Sequence, residues 1–411
     1  MSNEKPLSVT EARARILAAA PKIPDVETVA LTDALGRTLA VDLAAKRTQP
    51  PIAVSAMDGY ALRAADVAQL PAQLTLIGES AAGHGFAGLV DSGECVRIFT
   101  GAPVPQGADA VLMQEYVKAD GTTITPQKNV PSGDFIRAAG LDFSEGDRLL
   151  PAGAILGPVE IALAAAMDHA TLPVVRRPRI AILATGDELV RPGQPIGPDQ
   201  IVASNSFAIA AYVQLAGGVA IDLGIAGDDF AALEAGIKAA RDAKADVLVT
   251  LGGASVGDHD LVKSALTNEG MELGFWRIAM RPGRPLIHGR LGDMLILGLP
   301  GNPVSAIVCG VLFLLPLVRA LNGEAQPDAE TSESAILGAP LRGNDSRQDF
   351  LRATLRINES GVPVATPLSA QDSSLLRVMA QAQCLVVRMP QAPEAKAGDP
   401  CRIIRLPKAG M

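Results

Sequence analysis

The chain has 411 residues, with 36 Lys plus Arg against 44 Asp plus Glu and a formal net charge of −8. Nucleic-acid phosphates call for clustered basic residues and base stacking for aromatic platforms, so an acidic chain with 3% aromatics argues against nucleic acid as a partner. An apolar fraction of 48% excludes general disorder and supports two to four domains at roughly 150 residues each.

Met1–Ala20 mixes acids and arginines and has no apolar h-region, so it does not read as a signal peptide. Ser8 and Glu11 form an S-x-x-E capping box, which predicts a helix that Pro21 ends. A second helical stretch, Pro158–Asp168, is expected to pack against the first and make the outer module discontinuous. Between them, short β-like runs at Leu74–Gly78, Glu94–Thr100 and Ala110–Gln114 are separated by Gly- and Pro-rich turns. That spacing predicts a β-rich insert.

From Arg179 strands alternate with helices. Strands are predicted at Ile180–Ala184, Asp246–Leu251 and Leu295–Leu299, and a helix at Asn205–Leu215 stopping at Gly217-Gly218. Another helix carries Phe230, Leu233, Ile237 and Ala240. The last carries Ile307, Val311, Leu314 or Leu315, Val318 and Leu321 on one face. This pattern implies a mostly parallel sheet with helices on both sides. The longest apolar run, Ala306–Val318, is too short to span a bilayer and contains Pro316, so no membrane partner is expected. Gly323–Ser334 reads as a linker. Phe350–Ile357, with Arg352, Thr354 and Arg356 alternating, joins Leu385–Val387 and Arg402–Leu406 in a small all-β module. The fold class is therefore α/β plus β modules. Cys95, Cys309, Cys384 and Cys401 form no C-x-x-C pair, which predicts free thiols and a cytoplasmic setting.

Ligands of open parallel sheets bind beyond the carboxyl ends of the strands. Three polar turns fall there: Thr185-Gly186-Asp187-Glu188, the Gly252–Gly257 turn with Asp258 and Asp260, and Pro300-Gly301-Asn302-Pro303 with Ser305. Small residues let backbone N–H groups approach an anion, and a following helix adds positive potential. The alternative for each glycine is a tight turn alone. Arg281-Pro282-Gly283-Arg284-Pro285 carries two guanidinium forks suited to oxyanions; its alternative is a solvated turn. Glu188, Asp228 and Asp260 are hard oxygen donors suited to Mg²⁺, although Asp187 and Asp228 also suit turn or helix caps. Asp58, within Ser-Ala-Met-Asp-Gly-Tyr-Ala at 55–61, reads in isolation as a turn residue. His84, His169, His259 and His288 have no metal spacing.

Five segments carry a resemblance in this order: the 55–61 motif, Arg-Ile-Phe-Thr-Gly-Ala-Pro-Val-Pro at 97–105, Ala-Thr-Gly-Asp-Glu-Leu at 184–189, Gly-Gly-Ala-Ser-Val-Gly-Asp at 252–258, and Gly-Leu-Pro-Gly-Asn-Pro-Val-Ser-Ala at 298–306. With them the chain closely resembles the molybdopterin molybdenumtransferase family, the bacterial MoeA proteins and their gephyrin E-domain relatives. The resemblance implies a discontinuous elongated domain (1–48 and 142–177), a β-rich insert (49–141), a three-layer molybdopterin-binding α/β domain (178–326) and a C-terminal β-barrel (327–411). It implies a homodimer in which the insert of one chain completes the site of the other. The implied substrates are adenylylated molybdopterin and molybdate, with Mg²⁺-dependent release of AMP. Asp58, Thr100, Glu188, Asp228 and Asp260 are the implied catalytic residues, with Glu188 and Asp260 on the metal. Gly252, Gly253, Ser255, Gly257, Arg281, Arg284, Pro300, Asn302, Pro303 and Ser305 are the implied substrate-binding residues. Arginines stand at 281 and 284 where many relatives have lysines. Transient contact with the upstream adenylyltransferase or with molybdoenzymes is also expected. The competing reading is a non-catalytic, E-domain-like dimeric scaffold that binds a partner peptide.

Overall fold

Ser8 caps the N-terminal helix, Val9–Ala19: its Oγ accepts from the Glu11 N–H at 3.2 Å, while Glu11 Oε2 accepts from the Ser8 N–H at 2.9 Å. The capping box therefore forms as its spacing predicts. The structure, a computed structural model, describes residues 6–253, 261–328 and 332–407. The buried stripe Val9, Ala12 and Ile16 packs into the core of the α/β domain, beside Phe313, Leu317 and Leu321. Leu7 bridges in parallel to Ile278 just before it. Helix Pro158–Ala166 instead sends Ala164 into a separate core with Leu39, Leu43, Leu156, Leu172 and Val174. The expected pairing of the two helices is thus corrected: each stripe has a different apolar partner. What joins the early and late segments is strand pairing, Val26–Ala30 antiparallel to Thr171–Val175 and Leu43–Ala44 to Arg148–Leu150. Between them a six-stranded sheet runs in the order Ala110–Met113, Gly59–Leu62, Glu94–Ile98, Leu74–Ser80, Thr123–Pro126, Val117–Asp120.

The α/β sheet has the order Val219–Ala226, Arg179–Thr185, Val247–Leu251, Met294–Leu299, Ile287–Leu291, Glu272–Phe275. The first four strands are parallel and the last two antiparallel. Side chains alternate along a strand. Ile180 and Ile182 accordingly face Ile209 and Val213 of helix Asn205–Leu215. Ala181 and Leu183 face Leu233 and Ile237 of helix Phe230–Asp242 and Val262 and Ala265 of helix Leu261–Asn268. Helices therefore cover both sides. The chain leaves the 179–185 strand for its 219–226 neighbour and then returns to 247–251 on the other side. Winding reverses there, which opens a crevice at the carboxyl edge.

The last helix differs from its one-faced prediction. It runs Pro303–Leu321, 19 residues, and 89% of its apolar window is buried within the protein. By length and composition it matches a membrane span; its burial makes it a core helix, with burial of each Val or Leu worth ~1.5–3 kcal/mol. Pro316 does not break it. Gly310–Leu314 is a π turn in which the Leu315 N–H reaches back to the Gly310 carbonyl, a widening that accommodates the ring one residue on.

The C-terminal region closes as a five-stranded barrel of Gln348–Ile357, Pro363–Pro367, Ser332–Leu337, Pro400–Arg405 and Cys384–Arg388, the last returning to the first. Its first strand starts inside the segment read as a linker. Arg352, read as one of an alternating polar series, is 1% exposed. Its guanidinium donates to the Asp372 carbonyl at 3.1 Å, and its backbone N–H and carbonyl are both bound by Gln371.

Candidate active site

The turns beyond three neighbouring strands meet at one crevice of about 690 Å³. Glu188, Asp228, Gly252, Gly253, Gly301, Asn302 and Pro303 line it. Gly186 (φ +143°), Gly252 (φ +97°) and Gly253 (φ +66°) take backbone conformations that side chains resist. A Cβ on Gly186 would fall 2.4 Å from the Glu188 carboxylate, so the missing side chain is what lets that carboxylate fold over the turn.

The adjacent acids divide their duties. Asp187 Oδ1 accepts from the Asp228 N–H at 3.0 Å and fixes the 226–228 turn. Asp229 caps helix Phe230–Asp242 by accepting from the Ala232 N–H at 2.8 Å. The Asp228 carboxylate, like that of Glu188, has no hydrogen bond or ion pair with a described residue, and both residues line the crevice. Among the described residues no group of three or more His, Cys, Asp or Glu is placed to hold a metal ion.

Several lining residues escaped the sequence reading. Ser204, Asn205 and Ser206 bring the start of helix Asn205–Leu215 to the crevice, with no side-chain cap on its N–H groups, so that end is electropositive. The signal was the Ser-Asn-Ser run opening that helix. Asn205 Nδ2 also donates to the Gly301 carbonyl at 2.6 Å, tying the third turn to the helix. Asn205→Ala should lower stability by ~1 kcal/mol and raise the substrate KM several-fold; thermal unfolding and steady-state kinetics check both, and an unchanged KM would show that the tie is dispensable. Ser374 and Leu376 come from the C-terminal region, whose Ser373 carbonyl accepts from the Val304 N–H at 3.1 Å.

Other predicted residues lie elsewhere. Pro300 and Ser305 are buried behind the rim. Ser255, Gly257 and Asp260 lie outside the described residues. Arg281 and Arg284 do not line the crevice, and Arg281 is engaged: its guanidinium donates to both Asp349 carboxylate oxygens, at 3.0 and 2.6 Å. That ion pair ties Arg281 to the barrel, whereas Arg284 has no hydrogen bond or ion pair with a described residue.

Asp58 and Thr100 meet each other on the insert and do not line the crevice. The Thr100 N–H and Oγ both donate to Asp58 Oδ1 at 2.8 Å. The backbone bond first, then the hydroxyl, holds the Asp58 carboxyl below its ordinary 3.8. A depressed carboxyl keeps its contribution above the unfolded pKa and loses it only as pH falls through the folded one. Asp58 therefore stays charged from pH 5 to 8. Thr100→Ala should raise its pKa towards 3.8 in a carboxyl NMR titration; an unmoved value would mean that the hydroxyl contributes nothing.

A glycine-rich, acid-bearing rim at the switch point of an α/β sheet, in a chain that also carries a β insert and a closed barrel, defines a multidomain α/β protein with its candidate site at the carboxyl edge of that sheet. The MoeA N-terminal region (domains I and II) matches residues 7–167, a probable molybdopterin binding domain 181–320, and the MoeA C-terminal region (domain IV) 334–406. The molybdopterin molybdenumtransferase of Haemophilus influenzae is 36% identical over 96% of this chain and 97% of its own, and that of Bacillus subtilis 33% over 94% and 91%. The crystal structure of the MoeA molybdopterin biosynthesis protein of Pyrococcus horikoshii superposes with a TM-score of 0.84 at 30% identity, covering 98% of this chain and 100% of that one. The chain belongs to the molybdopterin molybdenumtransferase family, transferases of molybdenum cofactor biosynthesis.

Proposed function

We propose that the chain binds adenylylated molybdopterin in the Glu188–Asp228–Gly253 crevice, cleaves the adenylate to release AMP, and places molybdenum from molybdate on the dithiolene sulfurs. The observation that carries this reading is the meeting, at one rim, of the double-glycine turn with two carboxylates that have no partner among the described residues. In this reading the N–H groups of the 252–253 turn and of the helix starting at Asn205 hold phosphate oxygens, and the Asn205–Gly301 tie keeps them in place. Pro300 and Pro303 shape the third turn, and Ser305 packs behind it.

Mg²⁺ fits the donor set. It takes one or two carboxylates and completes its shell with water and substrate phosphate, which needs no three-residue cluster. Glu188 and Asp228 would hold it, with Asp260 as a further donor. Bound there, it supplies charge neutralisation at the phosphates under attack. The Asp58–Thr100 pair, away from its own crevice, is read as completing the site of a second copy in a homodimer. The free thiols Cys95, Cys309, Cys384 and Cys401 support a cytoplasmic setting. Delivery of the substrate by the upstream adenylyltransferase, and hand-over to molybdoenzymes, fit a crevice open at the rim.

Purified protein given adenylylated molybdopterin, Mg²⁺ and molybdate should release AMP and yield molybdenum-loaded cofactor. The absence of both products would sink the reading and leave the peptide-binding scaffold.

A further inference from the structure

Strand Glu94–Ile98 of the insert carries Arg97, and its register sets Arg97 opposite Tyr60 on the neighbouring strand, with Phe99 two residues on. The guanidinium carbon lies 5.1 Å from the Tyr60 ring centre and 4.9 Å from that of Phe99. Ring contacts of this kind hold a guanidinium in place and leave its N–H edge free to donate. That edge makes no ion pair with a described carboxylate. It is spent on two neutral oxygens: Nη1 donates to the Gly59 carbonyl at 3.0 Å and Nη2 to the Gln114 side-chain oxygen at 2.5 Å.

Both oxygens belong to the frame around Asp58. Gly59 follows it directly, and the Gln114 N–H donates to the Asp58 carbonyl at 3.2 Å. Gly59 lies so close to the adjoining strand that a Cβ there would fall 2.1 Å from the Leu112 carbonyl. On the other side of Asp58, the buried Ser55 hydroxyl donates to the Met57 carbonyl at 2.6 Å. The backbone is thus tied before and after Asp58. Its carboxylate is exposed, and its partners among the described residues are the Thr100 N–H and hydroxyl. A planar fork that joins two neutral groups beside an exposed acid, with no charge of its own to neutralise, serves geometry.

We infer that Arg97 is a positioning residue: by joining the Gly59 carbonyl to Gln114 it fixes the direction in which the insert presents the Asp58 carboxylate. This rests on the reading above in which Asp58 and Thr100 complete a second copy's site. Two rival roles make different demands. The Thr100 backbone bond and then its hydroxyl do most to lower the Asp58 carboxyl, and the Arg97 charge adds a smaller pull. An Arg97 that acts only through that charge needs no fork. An Arg97 that binds an anionic substrate directly acts on KM and leaves Asp58 alone.

Arg97→Lys separates the three, because lysine keeps the charge but replaces the rigid fork with a single ammonium. Asp58 is followed by carboxyl NMR titration, and turnover by AMP release from adenylylated molybdopterin with Mg²⁺ and molybdate. We expect Arg97→Lys to move the Asp58 titration upward, as the carboxylate loosens from Thr100, and to lower kcat about tenfold with KM within about twofold of wild type. Gln114→Ala removes the far anchor at an exposed position and should shift both readouts the same way by a smaller amount. It decides the matter if Arg97→Lys does not fold. An Asp58 titration at wild type in the folded variants overturns the inference: with kcat unchanged it leaves charge alone, and with KM raised it leaves direct substrate contact. A wild-type protein that releases no AMP overturns the functional reading instead, while the Asp58 titration still decides whether Arg97 positions the carboxylate.

Discussion

Alanine at Gly253 is expected to abolish molybdenum transfer and to cost more stability than any other single methyl added at the rim. Gly253 sits at φ +66°, where a Cβ would be 2.2 Å from Val262 Cγ2 and 2.9 Å from Thr185 Oγ1. The left-handed backbone alone costs an alanine about 1–2 kcal/mol, and overpacking adds roughly 1–3 kcal/mol. Neither neighbour can yield. Val262 is buried with Ala265 and Leu266, and Thr185 ends the strand beneath the turn. The turn itself must therefore move, and Gly252 moves with it; a Cβ on Gly301 would already touch the Gly252 Cα at 3.4 Å. A displacement of about 1 Å is enough to cost 10²-fold in rate where groups must be aligned. Gly193→Ala is the control. Its φ is +83°, yet nothing lies within 4 Å of its Cβ, so it should carry only the backbone penalty and keep full activity. If thermal unfolding and AMP release do not distinguish the two variants, the close approach at Gly253 is not what shapes the crevice.

Local chemistry was readable from the chain. The Ser8–Glu11 box, the helix Asn205–Leu215 and the strand cores at Ile180–Leu183 depend on neighbours a few residues apart, and the structure has them where periodicity puts them. The antiparallel neighbours Glu272–Phe275 and Ile287–Leu291 were not readable. They are joined by close backbone approach: a Cβ on Gly289 would meet the Glu272 carbonyl at 2.7 Å, and one on Gly274 the His288 carbonyl at 3.2 Å. Glycines needed for such an approach interrupt the alternation that marks a strand. Arg352 reads as a polar tooth of a strand; it alternates with the barrel-core residues Leu351 and Ala353, and its partners Gln371 and Asp372 lie about twenty residues on. Arg281 and Arg284 look alike on one stiff loop. What separates them is Asp349, 68 residues from Arg281. At the crevice, the glycine turns and Glu188 are visible in sequence, whereas Ser374 and Leu376 arrive from the barrel side, through a backbone bond to Val304 that no local pattern encodes.

Glu188→Gln should reduce metal-dependent AMP release by about 10²–10³-fold while leaving stability and pterin binding nearly intact. The reasoning turns on what Glu188 does not do. It makes no hydrogen bond or ion pair with a described side chain, so an isosteric amide removes charge without breaking a structural contact. It also occupies the space that Gly186 leaves open, and glutamine fills the same volume. Its charge is useful only if something cationic, or a proton in transit, meets it during the reaction. The loss should therefore fall on kcat, with KM little changed, the pattern of an interaction made in the transition state. Asp229→Ala gives the opposite pattern in the adjoining turn: removing its cap from the Ala232 N–H should cost about 1 kcal/mol of stability and leave turnover intact. Measuring AMP release across a Mg²⁺ titration for both variants separates the roles. Turnover of Glu188→Gln equal to wild type would mean that its negative charge takes no part in the chemistry, and the acid at the crevice would have to be sought at Asp228.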